Sequence, residues 1–520
     1  MRTLRIIYHL ARADFLERIR RYSFLITLGL AVFLGYQAAV GNIVLRLNEY
    51  RGEFNSAWAG AMMSLIATLF IGWFGFYVVK GSVARDYETG VGQIMATTPI
   101  TRPLYTVGKW LSNFIVLMTI VLILAVFAVV IQFITGESTR VDLVGLLSPF
   151  LLVTTPIMAL VAALAVLFET ITFLRGGFGN IVYFFLFAFT IPLADSQFVK
   201  DNPGLDPIGL SIFTESMGNA LRAQDPTYNN GFSLGVDFEG SKSIFLWTGV
   251  DWTSTIILNR LWILLLAFGL TLFAALFFTR FDPSRTRPGR RKSVASTLKP
   301  QSVSTPQALP QPARLTPLSP PQGGYAFLRV LISELKLLLK GQRWWWYAGA
   351  AGLFIASLTN PIETVRTYIL PFVWLWPVLI WSGMGNRELI NNTQQMVFSS
   401  AAPLMRQLPA TWLAGFLVTV FTGSGATIKL LGAGDMVGLL AWFSGALFIP
   451  SFALALGVWS NSHKLFEVLY VSMWYLGPLN KVFELDYLGA NSSGNVGFFI
   501  PFSIALIVAA FIGRVRQLRG

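Results

Sequence analysis

Uncharged apolar stretches of about 20 residues recur along this chain, and no other feature narrows its fold so far. A helix of that length crosses about 30 Å of hydrocarbon. Twelve such runs lie near 23–43, 57–79, 110–134, 144–168, 176–194, 258–279, 344–359, 366–383, 409–431, 436–459, 465–483 and 496–513. Composition agrees: 54% of the 520 residues are hydrophobic and 12% are charged, which excludes an ordinary soluble domain. The sequence predicts an all-α integral membrane protein of about twelve transmembrane helices. The absence of cysteine excludes a disulfide framework, a thiolate metal site and a cysteine nucleophile. His9 and His463 are too far apart in sequence for a histidine-rich metal site.

The net charge of +14 is distributed as a topology signal. With the N-terminus inside, the inner segments hold 29 Lys and Arg against 9 acids, and the outer ones 10 against 16. Both termini are therefore expected in the cytoplasm of a plasma-membrane protein, and nucleic acid is not an expected partner. Charged residues run to Arg21 before the first apolar run, so no cleavable signal peptide is expected.

The runs fall into two six-span halves, 1–279 and 325–520, each read as the same orientation and therefore as a parallel repeat. Between them, 280–324 is rich in Pro, Ser, Gln and Arg and reads as a cytoplasmic linker. Each half opens with an amphipathic segment expected to lie along the inner membrane surface. In 2–20, Leu4, Ile7, Tyr8, Ala11, Phe15 and Ile19 share one face, with Arg5, Arg12 and Arg20 away from it. In the second half Phe327, Leu331, Leu335 and Leu338 form the stripe, and Trp344, Trp345 and Trp346 follow as an aromatic anchor. The largest outer segment, 195–257, carries Trp247 and Trp252, which are expected at the outer interface.

Chemistry is sparse. The chain has no G-x-x-x-x-G-K-[ST] loop, no HExxH and no nucleophile elbow, so ATP hydrolysis is not expected here. Ionisable groups are nearly absent from the spans; Glu467 is expected to snorkel to the inner interface. What stands out is the polar stretch RDYETGVGQIMATTPITRPLYTVGK, from Arg85 to Lys109, between two spans on the inner side. It is far longer than a connection requires and suits a short helix presented to a cytoplasmic protein. Part of it recurs 304 residues later, where Ala96 to Arg102 (ATTPITR) becomes Ser400 to Arg406 (SAAPLMR).

Arg85-Asp86-Tyr87-Glu88-Thr89-Gly90, the Pro99 to Arg102 turn and Gly108-Lys109 resemble the inner loop of type-2 ABC exporter permeases. The second half keeps Arg387-Glu388, Pro403 and Arg406 but lacks equivalents of Gly90 and Gly108-Lys109. The resemblance implies a transmembrane subunit with no cofactor of its own, energised by two separately encoded nucleotide-binding ATPase subunits that hold ATP and Mg. Their implied docking surface includes Arg85, Glu88, Pro99, Arg102, Lys109, Arg387, Glu388, Pro403 and Arg406. The apolar spans suit a hydrophobic or amphipathic substrate, and membrane lipids are the other expected partner. Two other readings are a non-transporting membrane scaffold and an ion-coupled carrier, the latter disfavoured by the near-empty spans.

Overall fold

In the computed structural model the described residues are 2–519, apart from 21, 139, 195, 202–205, 229–230, 237–242, 280, 282–325, 401 and 491–494. The linker reading of 280–324 therefore lies, save for Phe281, outside them. By internal contacts the chain forms two units, Met1–Phe281 and Asp282–Gly520. Among the described residues eight helices are long and apolar enough to cross a membrane, and Phe24–Ala39 is a shorter apolar one.

In the first unit α1 (Arg2–Arg18) precedes α2 (Tyr22–Ala39). After two short strands, β1 (Ile43–Arg46) and β2 (Tyr50–Gly52), α3 (Ser56–Val79) starts where the Asn55 side chain accepts the Trp58 amide. Two short helices, α4 (Ser82–Glu88) and α5 (Val91–Ala96), lead to α6 (Arg102–Thr135), whose first turn carries Pro103. α1 packs along α6, and Gly108 permits the approach: a Cβ there would sit 2.5 Å from Leu10 Cδ2. The next candidate span, Leu143–Thr170, is α7 (Leu143–Pro149), a π-turn (Phe150–Thr154) and α8 (Thr155–Thr170). The π-turn brings Thr154 Oγ1 to 3.0 Å from both Ser64 Oγ and Thr68 Oγ1 of α3, so three hydroxyls satisfy one another inside the protein. α9 (Gly177–Ala194) and α12 (Ser254–Phe277) complete the apolar helices of this unit, with α12 packed on α8.

The connections between the apolar helices contain α10 (Gln197–Asp201), α11 (Leu210–Gln224) and a small β patch that the all-α expectation did not include. β3 (Ser233–Val236) pairs antiparallel with β1, setting Ile43 opposite Val236; β4 (Ser243–Phe245) pairs parallel with β2, setting Tyr50 opposite Ser243. The patch is tied down by an ion pair between Arg51 and Glu137 (2.6 Å), whose hydrogen bonds hold the Glu137 carboxyl below its ordinary range. Trp247 is buried edge-to-face against Trp58 and donates to Ser216 Oγ at 3.1 Å; Trp252 donates to Ser148 Oγ at 2.9 Å. The interfacial expectation is corrected for Trp247, which is 2% exposed. Each indole N–H finds a hydroxyl within the protein, so Trp247 can be enclosed and the partly buried Trp252 packs against the core.

In the second unit α13 (Ala326–Leu339) packs on α20 (Pro403–Gly432), as does α14 (Trp344–Thr359). The run after α14 is interrupted: α15 (Ile362–Thr364) passes through a π-turn (Val365–Ile369) into α16 (Leu370–Leu375), and Pro377 separates α17 (Val378–Trp381). Two short helices, α18 (Arg387–Ile390) and α19 (Gln394–Phe398), precede α20. α21 (Met436–Ser460) packs on α23 (Val496–Arg519), with α22 (His463–Trp474) between them in sequence. Glu467 is 2% exposed and enclosed by its own unit instead of reaching out to an interface.

Candidate functional site

The polar segment of the first unit is fixed by charge from every side. As α3 ends, Lys80 turns its ammonium onto the carbonyls of Leu174 (3.1 Å) and Gly176 (3.2 Å) and onto Asn180 Oδ1 (2.6 Å). Gly81 adopts φ 116°, a conformation that a side chain would strain, and the chain turns into α4. The start of α4 leaves backbone N–H groups without helical partners. Glu169, at the end of α8 and 1% exposed, takes them all: its carboxylate accepts the amides of Gly81, Ser82, Val83 and Ala84 at 2.6–3.0 Å and the Ser82 hydroxyl at 3.2 Å.

Beyond that cap, α4 presents Arg85 and Asp86 to α1 and α6. Lys109 Nζ, fully buried, lies 2.7 Å from Asp14 Oδ2 and 2.7 Å from Asp86 Oδ2. Arg85 pairs with Asp14 (2.6 Å), with Glu17 and more distantly with Asp86 (3.7 Å). Tyr105 donates to Asp86 Oδ2 at 2.7 Å and stacks on Phe278. Arg175 lies over the Tyr87 ring, and the Tyr87 hydroxyl meets Thr279 at 2.9 Å. One seven-residue helix is thus bound to α1, α6, the α8–α9 connection and the end of α12. Any force applied to α4 reaches the ends of all of them.

The second unit has a smaller set of charge contacts around α18. Arg387 of α18 pairs with Glu334 of α13 (3.6 Å), and Glu388 accepts from Gln407 Nε2 (2.5 Å) and lies 3.5 Å from Arg514 of α23. Burial pushes the Glu334 carboxyl above its ordinary value; Arg387 opposes this and Glu388 reinforces it. The two sets of contacts share one spacing: Asp86 and Glu388, Tyr105 and Gln407, and Trp110 and Trp412 each stand 302 residues apart. Trp110 stacks on Phe114 and donates to Ala159 O; Trp412 stacks on Phe416 and donates to Ser451 Oγ. By that spacing Lys109 corresponds to Thr411. The second unit has no cation at that position, and Arg514 lies beside Glu388.

The nine residues singled out in the sequence separate into two groups. Lys109 and Glu388 are buried, and Arg85 and Arg387 are half-buried and paired within their own units. Glu88, Pro99 and Arg406 are exposed, Arg102 and Pro403 half-buried; Glu88, Arg102 and Arg406 form no ion pair among the described residues. Sequence reasoning missed Asp14, Glu169, Glu334 and Arg514, which lie far from the segment or look like ordinary surface charges, and it quoted Asp86 without giving it a role. It also passed over Ile94 (69% exposed) and Met396 (72% exposed), apolar tips of α5 and α19 that again stand 302 residues apart. An apolar residue on a charged segment was the available signal.

If Glu169 is the strut that carries α4, Glu169→Gln is expected to speed amide exchange at residues 81–84 by about tenfold or more, since a charged cap becomes a neutral one. Exchange elsewhere in α8 should change little. Unaltered protection at 81–84 would remove Glu169 from that role.

Many apolar helices, with an internally braced polar helix at their ends, define a multi-pass membrane protein. A family model described as ABC-2 family transporter protein matches residues 8–280. The chain belongs to this family and is a permease component of an ABC transporter, a class that works with an ABC ATPase subunit. No curated protein and no solved structure matches it.

Proposed function

We propose that the chain is the complete transmembrane unit of an ABC exporter, two six-span halves fused in one polypeptide, moving a hydrophobic or amphipathic substrate. Two ATPase subunits dock on the cytoplasmic face, one on residues 85–109 and one on 387–410. The observation that carries this reading is the braced polar helix and its counterpart 302 residues on. The repeat is in the register of those contacts, so Pro99 and Pro403, 304 residues apart, are not strict counterparts. Docking falls to the exposed group: Glu88, Ile94, Pro99 and Arg102 in the first unit, Met396 and Arg406 in the second. Arg85, Lys109, Arg387 and Glu388 transmit force and do not touch the partner. ATP binding in the subunits pushes α4 and α18, and the bracing tilts the attached spans.

Orientation is checked directly because the chain has no cysteine of its own. Glu88→Cys is expected to react only with reagents admitted to the cytoplasm, and Ala223→Cys with an impermeant thiol reagent on intact cells. Labelling of Glu88→Cys from outside would sink the docking model. Export itself is tested in vesicles containing the chain and its co-purified ATPase, where nucleotide-dependent accumulation of a lipophilic dye is expected; nucleotide hydrolysis with no movement of any lipophilic probe would favour the scaffold reading.

A further inference from the structure

The elbow between α13 and α14 carries more than a membrane entry requires. α13 buries Leu331, Glu334 and Leu338 and leaves Leu328, Ile332, Lys336 and Leu337 exposed along its other side, with Lys340 exposed in the turn that follows. Gly341, at φ 97°, turns the chain, and Arg343 caps α14 from an extended conformation. The turn is held firmly: Tyr347 donates to Leu339 O (3.3 Å), and Trp376 donates to Trp346 O (3.0 Å). Trp376 lies so close to α14 that a Cβ on Gly349 would sit 2.3 Å from its ring. On this frame Trp344 is 80% and Trp345 50% exposed, next to Lys336, Lys340 and Arg343. None of those three cations pairs with a described acid, and the nearest carboxylate in sequence, Glu334, is turned inward to Arg387.

The first unit makes the equivalent elbow between α1 and α2 with an exposed Arg20 but without tryptophan. Its first tryptophan is Trp58, and Arg18, at the end of α1, is buried against Asn113. The paired indoles are therefore not needed to form the turn, and the second elbow sets three exposed cations around them. We propose that the α13–α14 elbow is a binding site for acidic phospholipid, with Lys336, Lys340 and Arg343 on the headgroup phosphate and Trp344 and Trp345 at the level of the glycerol backbone. Indoles favour that depth, and the long cationic side chains keep their stems on apolar surface while the charge reaches the phosphate. Each cation near such a surface strengthens association roughly fivefold.

The test uses the full chain in phosphatidylcholine vesicles containing a minority of brominated lipid, read by tryptophan fluorescence. Brominated phosphatidylglycerol is expected to quench more than the same amount of brominated phosphatidylcholine. That excess should vanish in Trp344→Phe/Trp345→Phe and in Lys336→Gln/Lys340→Gln/Arg343→Gln. The charge-preserving Lys336→Arg/Lys340→Arg/Arg343→Lys should keep it. Equal quenching of the natural chain by the two lipids overturns the proposal without recourse to any variant. An excess that survives the glutamine variant places the site elsewhere, and one abolished by inorganic phosphate reassigns it to free anions.

Discussion

Lys109→Met is expected to abolish the folded first unit in most preparations, although methionine matches the shape of the lysine stem and keeps the helix. Lys109 is fully buried, and its ammonium lies 2.7 Å from each of two carboxylates that are themselves 6% and 3% exposed. Removing it leaves Asp14 and Asp86 facing each other in an enclosed space with only Arg85 to offset them. Breaking a buried pair in this way typically costs about 3–5 kcal/mol. That is a large share of the roughly 5–15 kcal/mol by which folded proteins exceed their unfolded states. The measurement is the melting temperature and monodispersity of detergent-purified protein. Lys109→Met/Asp14→Asn/Asp86→Asn should recover much of the loss, because the penalty lies in stranded charge and not in lost volume. A single variant that melts with the natural protein would show that the cluster carries no such energy. The corresponding Thr411→Ser in the second unit should be mild, since no cation is removed there and the buried hydroxyl is kept.

The second large effect is on partner binding. Ile94→Asp and Arg102→Glu are each expected to remove the ATPase from the purified complex while leaving the permease as stable as before. Ile94 is 69% exposed and Arg102 has no ion pair among the described residues, so neither change disturbs the unit that carries it. Exposed apolar tips commonly supply interface anchors worth about 2 kcal/mol or more, and a charge reversed against a partner costs on the order of 2–5 kcal/mol. Met396→Asp should act in the same direction at the second surface. A photo-crosslinking residue at Ile94 should capture a protein with a nucleotide-binding domain. Wild-type levels of co-purified ATPase in both Ile94→Asp and Arg102→Glu would move the docking surface elsewhere. Glu169→Gln separates the two roles, because it loosens α4 without altering any exposed group.

The class of this protein was legible because membrane solvation acts on sequence directly. A run such as 110–134 must be helical in hydrocarbon whatever it packs against, and the polar stretch 85–109 stands out against such runs without any knowledge of its contacts. The amphipathic α1 and α13 were legible for the same reason: their stripes are local. Contacts between segments were not. Asp14 reads as one more charge near the N-terminus and Glu169 as the end of an apolar run; only folding brings them to Lys109 and to the amides of α4, across 95 and about 85–88 residues. The register of the two units is also a tertiary matter. Proline and arginine letters suggested 304 residues, whereas hydrogen-bond partners and stacked rings recur at 302, because position in a packed arrangement is kept by contacts and not by residue type. Trp247 makes the same point: its sequence surroundings suit an interface, but Ser216 and Trp58, distant along the chain, offer its indole a hydroxyl and a ring to be buried against.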